Sequence, residues 1–183
     1  MSSVLPTNKR VYFITGSSGV GKSSLVKELK NKHLRQYDIH DFDEVGVPNG
    51  ANQDWRIKTT ETWLTLGKNN LEEGVLTIVI GLTHPDEVEE IAIREKIIVY
   101  YCMLEVDSKE LQRRLMEYRF STPERIANLL KYEGVSVEQF LENNMRHVEY
   151  IKHQAQKNKA HFIDTTSLSK AEVCEQIVQW IQK

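Results

Sequence analysis

Residues Gly16 to Ser23 read G-S-S-G-V-G-K-S and fit the spacing G-x-x-x-x-G-K-[ST]. That pattern belongs to phosphate chemistry. Gly16, Gly19 and Gly21 let the backbone close around an anion without a clashing Cβ, and they turn N–H donors inward at the start of a helix. Ser17, Ser18, Val20 and Ser24 complete the cradle. Lys22 adds a mobile positive charge for the β- and γ-phosphates of a nucleotide, and the Ser23 hydroxyl is placed to ligate a Mg²⁺ that bridges them. The flanks meet the context the pattern needs, because the strand-like VYFIT precedes it and the helical SLVKEL follows. With Gly near 7% of average usage, four fixed positions match by chance in a chain this long with a probability of about 1% or less.

Carboxylates come next. Asp41 and Asp43 stand in DFDE at the exit of a second strand, where residues two apart share one side and both can face the phosphate loop. Such a pair can hold a metal ion or orient and deprotonate an alcohol; the alternative is that they cap a turn or sit in solvent. The third strand, VLTIVIG, carries no carboxylate, so motor-type ATPases fit poorly. His84 in GLTHP could donate to an acceptor, but it reads better as a surface histidine before a proline. In NGANQDWRIKTTETWL, Arg56 lies between Trp55 and Trp63. A planar guanidinium binds carboxylate or phosphate bidentately, which makes Arg56 a candidate anion contact in a lid over the acceptor. Equally, Trp55 and Trp63 pack one helix face while Arg56 snorkels.

Arginines dominate the later helices. Arg113, Arg114, Arg119 and Arg125 lie between 110 and 130 with no lysine among them. A charge run on a helix is usually a solvated face, but arginine also suits the charge spread over a transferred phosphoryl group. Cys102 and Cys174 lie on apolar stripes without ligand spacing and read as small buried hydrophobes.

The elements that must position these residues alternate. Strands are expected at Arg10–Thr15, Tyr37–Asp41, Val75–Ile80, Ile97–Leu104 and Ala160–Asp164. Helices are expected at Lys22–Leu34, Gln53–Glu73, His84–Ile93, Ser108–Tyr118, Pro123–Tyr132, Val137–Lys157 and Ser169–Gln182. This order implies right-handed crossovers and an α/β, three-layer fold on a five-stranded parallel sheet. The runs at 75–80 and 97–104 are nearly continuous in apolar residues and should be interior. Polar loops follow all five strands, where sites in parallel sheets gather. Residues 119–136 form a helical excursion that the sheet does not require. It is expected to be a mobile lid; a static pair of helices packed through Ile126, Leu129 and Leu130 is the competing view.

Composition bounds the rest. With 24 Lys plus Arg against 26 Asp plus Glu the net charge is −2, which speaks against nucleic-acid binding. The 183 residues suffice for a single domain over 1–183 that buries about 70% of the surface exposed when unfolded. The opening MSSVLPTNKR has no apolar h-region, and the longest apolar runs fall far short of the ~20 residues a membrane span needs. A cytoplasmic protein without a membrane partner is expected.

The glycine loop, the DFD, the Arg113–Arg119 helix and the closing HFIDTTSLSKAEVCEQIVQWI together resemble the small P-loop kinases related to shikimate, gluconate and adenylate kinases. The resemblance implies transfer of the γ-phosphate of ATP, with Mg²⁺, to a small-molecule acceptor. A hydroxyl metabolite such as a sugar acid or nucleoside is favoured; a nucleoside monophosphate kinase and a non-catalytic ATP-binding regulatory module are the alternatives, and a monomer or homodimer is expected. It further implies Asp41 near the metal, Asp43 and Gly81 at the acceptor, and Arg114 and Arg119 in catalysis, with Arg125 as a further candidate. By the same resemblance Arg146 reaches the substrates, and Thr165, Thr166 and Ser167 edge the adenine. For Arg146, a surface charge paired with Glu142 or Glu149 is the alternative. Asn52, Asp54, Arg56, Trp63 and Leu64 loosely match a gluconate-kinase spacing.

Overall fold

Val11 to Ile14 are apolar at every position and all are buried, so the first strand, β1 (Arg10–Thr15), has to be covered on both faces. The computed structural model describes residues 10–32, 34 and 36–183, and in it that strand lies at the centre of a five-stranded sheet. Its partners are β2 (Tyr37–Asp41), β3 (Leu76–Ile80), β4 (Ile98–Glu105) and β5 (His161–Asp164), in the order β2-β3-β1-β4-β5, and every pairing is parallel. Between and after them run α1 (Lys22–Asn31), α2 (Gln53–Glu72), α3 (Pro85–Glu95), α4 (Ser108–Arg114), α5 (Pro123–Glu133), α6 (Val137–Lys157) and α7 (Lys170–Ile181).

The two-residue period of the strands sorts the core into layers. Tyr12, Ile14, Ile78, Ile80 and Leu104 pack against Leu25 and Leu29 of α1 and Cys174, Ile177 and Ile181 of α7. On the other face Val11, Phe13, Val79 and Tyr101 meet Trp63 and Leu64 of α2 and Val88 and Ile91 of α3, while Met103 meets Ile151 and Ala155 of α6. Both cysteines are buried, as their stripes suggest. Parallel register brings Asp41 level with Ile80, and Ile80 level with Ile14, so the ends of β2, β3 and β1 open on one edge.

Strand expectations hold to within a residue, with one qualification. β3 and β4 flank β1 in the interior, yet Ile98 and Tyr100 at the start of β4 are exposed, because no helix among the described residues covers that corner. The helix expected over Lys22–Leu34 ends at Asn31; positions 33 and 35, like residues 1–9 of the opening MSSVLPTNKR, lie outside the described residues. The helix expected over Ser108–Tyr118 is two pieces. After Arg114 the chain widens into a π-helical turn, Leu115–Arg119, closed by Phe120 N–H donating to the Leu115 carbonyl at 2.9 Å. A π-turn shifts the facing of everything after it while leaving the apolar spacing nearly intact.

Of the stripe expected to bury α5, only Leu129 is covered, by Leu111, Leu115 and Phe120. Ile126 and Leu130 remain 40% and 63% exposed. No helix among the described residues is long and apolar enough to cross a membrane.

Candidate active site

The chain turns sharply between β1 and α1. Gly21 caps α1 with φ 109°, a conformation that side chains rarely adopt, and no side chain caps that helix end. The first N–H groups of α1 therefore have no capping side chain, which is the local reason the loop could cradle an anion. Lys22 folds back over the turn, its Nζ donating to the Gly16 and Ser17 carbonyls at 2.7 Å each. Burial pulls its ammonium down to about 8, and the nearby carboxylates of Asp43 and Asp41 oppose that fall. Ser18, Gly19, Val20, Gly21, Lys22, Ser23 and Ser24 line a cavity of about 1130 Å³; Gly16 and Ser17 lie behind it and hold Lys22.

Asp41 and Asp43 face the same cavity. Asp41 caps the 3₁₀ turn Phe42–Val45, its Oδ1 accepting from Asp43 N–H at 3.0 Å. Capping and lining the cavity are thus compatible for one residue, and its Oδ2 has no hydrogen-bond partner among the described residues. Burial and the charge of Asp41 raise the Asp43 carboxyl above its ordinary value against the pull of Lys22, making it a stronger base than a solvated aspartate. The turn is pinned from α2. Trp63 Nε1 donates to the Phe42 carbonyl at 3.1 Å and Trp55 Nε1 to the Gly46 carbonyl at 3.2 Å. Two indoles on one helix thus clamp both ends of the turn that carries Asp43.

Gly81 also borders the cavity, and packing demands it. A Cβ there would lie 2.1 Å from Phe42 Cβ, so the end of β3 and the Asp43 turn can touch only through a glycine.

Arg114 is held fast. It donates to Glu110 at 2.8 Å, to Thr165 Oγ1 at 3.1 Å, and to the Thr165 and Thr166 carbonyls at 2.7 and 3.3 Å. Thr165, Thr166 and Ser167 line the cavity on that side. Arg119, delivered by the π-turn, reaches Ser18 Oγ at 3.3 Å and Glu133 at 2.9 Å, and lies 4.6 Å over the Phe140 ring. Arg125 instead bonds the Tyr118 carbonyl and Ser121 and stays outside the cavity.

Three residues lie elsewhere than the leading expectations put them. Arg56 does not line the cavity; its fork grips Glu87 at 2.9 and 3.1 Å. Arg146 donates to Asn143 at 2.8 Å, not to Glu142 or Glu149, and opens on a separate groove between α4 and α6. His84 is 7% exposed rather than a surface residue, because the proline after it starts α3 and turns the imidazole inward, 3.2 Å from His147. Asn143, Asn144 and His147, absent from the expected site, line the cavity from α6; Asn144 Nδ2 also donates to the Ser18 carbonyl at 3.3 Å. A signal was there. Phe140, Asn143, Asn144 and His147 follow the i, i+3, i+4, i+7 spacing of one helix face.

The residues present suit a nucleotide with its metal. Ser23 and Asp41 offer oxygen donors of the kind Mg²⁺ takes, in the cavity that holds the loop. Among the described residues no cluster of three or more His, Cys, Asp or Glu forms a separate metal site.

No protein-family model matches the chain, and no curated protein matches it in sequence. Solved structures do. The tunicamycin resistance protein of Deinococcus radiodurans superposes with a TM-score of 0.61 at 17% identity, over 94% of this chain and 95% of that one. A gluconokinase from Sinorhizobium meliloti gives 0.58 at 13% over 91% and 88%, and a shikimate kinase from Bacteroides thetaiotaomicron 0.55 at 18% over 94% and 98%. The chain has the fold of the small P-loop kinases. At such identities the likeness concerns the fold, and activity has to be argued from the cavity itself.

Proposed function

We propose that the protein is an ATP-dependent kinase that transfers the γ-phosphate to a hydroxyl-bearing small molecule. The observation that carries this reading is the convergence, in one cavity, of the glycine loop with Lys22, the Asp41–Asp43 pair and Arg119. The loop's N–H groups and Lys22 bind and orient the phosphates, and Arg119 faces the charge that spreads as the phosphoryl group moves. Asp43 takes the proton as the acceptor oxygen bonds to the γ-phosphorus and the bond to the β-phosphate breaks, leaving ADP. Ser23 and Asp41 would hold Mg²⁺, which would supply charge neutralisation for the phosphates. Arg114 keeps the 165–167 loop in place beside the nucleotide base.

A hydroxyl acceptor is favoured over a nucleotide because Arg56 and Arg146, the arginines expected at an anionic acceptor and at the substrates, are engaged outside the cavity. A coupled ADP-release assay with sugar acids, polyols, nucleosides and nucleoside monophosphates tests the reading. Release stimulated by a hydroxyl compound and abolished in Asp43→Asn supports it. Tight ATP binding with no stimulation by any acceptor favours the regulatory module instead.

A further inference from the structure

His147 lines the cavity from α6, while its Nε2 lies 3.2 Å from Nε2 of His84. Two imidazole nitrogens at that distance need one hydrogen between them, so one ring donates and the other accepts. The neighbours decide which. His84 Nδ1 lies 3.5 Å from Glu87 Oε1, and that carboxylate is gripped by Arg56 through two bonds. Burial pushes the Glu87 carboxyl up, but Arg56, through its hydrogen bonds and its charge, holds it below its ordinary value. A carboxylate facing Nδ1 attracts a hydrogen there and repels a lone pair.

Their surroundings push both rings towards the neutral form. Burial and the Arg56 charge lower His84 despite the pull of Glu87, while burial together with His84, Arg56 and Lys22 lowers His147. A neutral His84 that carries its hydrogen on Nδ1 has a lone pair on Nε2, which accepts from His147 Nε2–H. The nitrogen left to His147 is then Nδ1, unprotonated, on a residue of the cavity wall. The only other ring in contact with this pair among the described aromatic residues, Tyr150, meets His84 edge-on at 5.4 Å and His147 at 6.1 Å.

We propose that His147 recognises a hydroxyl of the acceptor through an unprotonated Nδ1, and that His84, Glu87 and Arg56 are positioning residues that fix this tautomer. A lone pair takes a hydroxyl hydrogen and rejects a carboxylate or phosphate, which brings only further lone pairs. Asp43 is a second hydrogen-bond acceptor in the same cavity, so the pair suits a polyhydroxy compound. The word acceptor rests on the kinase reading; the tautomer does not.

The test uses the full chain, labelled with ¹⁵N-histidine and bound to Mg·ADP, in long-range ¹H–¹⁵N correlation spectra at neutral pH. Expected are a single Nε2–H tautomer for His147, a single Nδ1–H tautomer for His84, and a mixture at both in Glu87→Gln. A hydrogen on His147 Nδ1, a charged ring, or tautomers unmoved by Glu87→Gln overturns the relay; the wild-type spectrum alone suffices if that variant does not fold. Trifluoroethanol should then move the His147 Nδ1 resonance towards lower frequency, and trifluoroacetate, its anionic counterpart, should not. The reverse order, or no response to the alcohol, overturns the recognition. In a second, uniformly ¹⁵N-labelled sample, failure of Mg·ADP to shift the Gly19 and Gly21 amides refutes the kinase reading separately and leaves the tautomer result standing.

Discussion

Replacing Gly81 by alanine tests how the site is assembled. The added Cβ would lie 2.1 Å from Phe42 Cβ and 3.3 Å from Phe42 Cα. Carbon atoms settle at about 3.5–4.0 Å, so Phe42 has to move by roughly 1.5 Å. It cannot do so freely, because it is 1% exposed and the Trp63 indole holds its carbonyl. Overpacking of this kind costs about 1–3 kcal/mol. In a domain of this length each kcal/mol lowers Tm by about 2–4 °C, giving a fall of roughly 2–12 °C by calorimetry. The displacement also pulls on the turn between Asp41 and Asp43, so the Asp43 amide, bonded to Asp41 Oδ1 at 3.0 Å, should exchange faster. An unchanged Tm with unchanged exchange at Asp43 refutes the packing argument and returns Gly81 to the role of a close approach to the acceptor.

Lys22 gives a pH signature. Its folded value of about 8 lies below the ordinary 10.5, so between those values the unfolded chain holds a proton that the folded protein has lost. Stability contributed by this group therefore rises with pH across that window, and the denaturant-melt difference between wild type and Lys22→Met should move in favour of wild type from pH 8 to 10.5. A pH-independent difference contradicts the assigned burial. Arg114→Ala should cost about 1.5–3 kcal/mol and accelerate hydrogen exchange over 165–169, with Arg114→Lys restoring little because a lysine cannot span the same four acceptors; an unaltered melt would remove its anchoring role. Hydrogen exchange over 119–136 should slow on adding a Mg²⁺-bound ATP analogue as α5 closes over the phosphates. Equal protection in both states means a static pair of helices.

The glycine loop, the five strands and the DFD turn were legible because each is written locally: a run of apolar residues, a loop with fixed spacing, a pair two apart. What escaped depends on contacts distant in sequence. His84 meets His147 across 63 positions and Arg56 meets Glu87 across 31, and neither partner marks the other in the chain. The π-turn escaped because one wider turn leaves Leu111 and Leu115 in helical register while turning Arg119 towards Ser18. Trp55 and Trp63 read as a packed helix face, and that face does pack, but the ring N–H groups that clamp the 42–46 turn lie at right angles to anything hydrophobic spacing reveals.

Titration calorimetry of Mg·ATP into wild type and Lys22→Ala tests the central claim most directly. Each charge-assisted hydrogen bond lost to phosphate is worth about 1.5–3 kcal/mol, so the variant should bind about 10- to 140-fold more weakly. Its fold should be retained, since Lys22 bonds only the loop's own carbonyls. Equal affinity in the two proteins, or no binding by the wild type, would contradict the account.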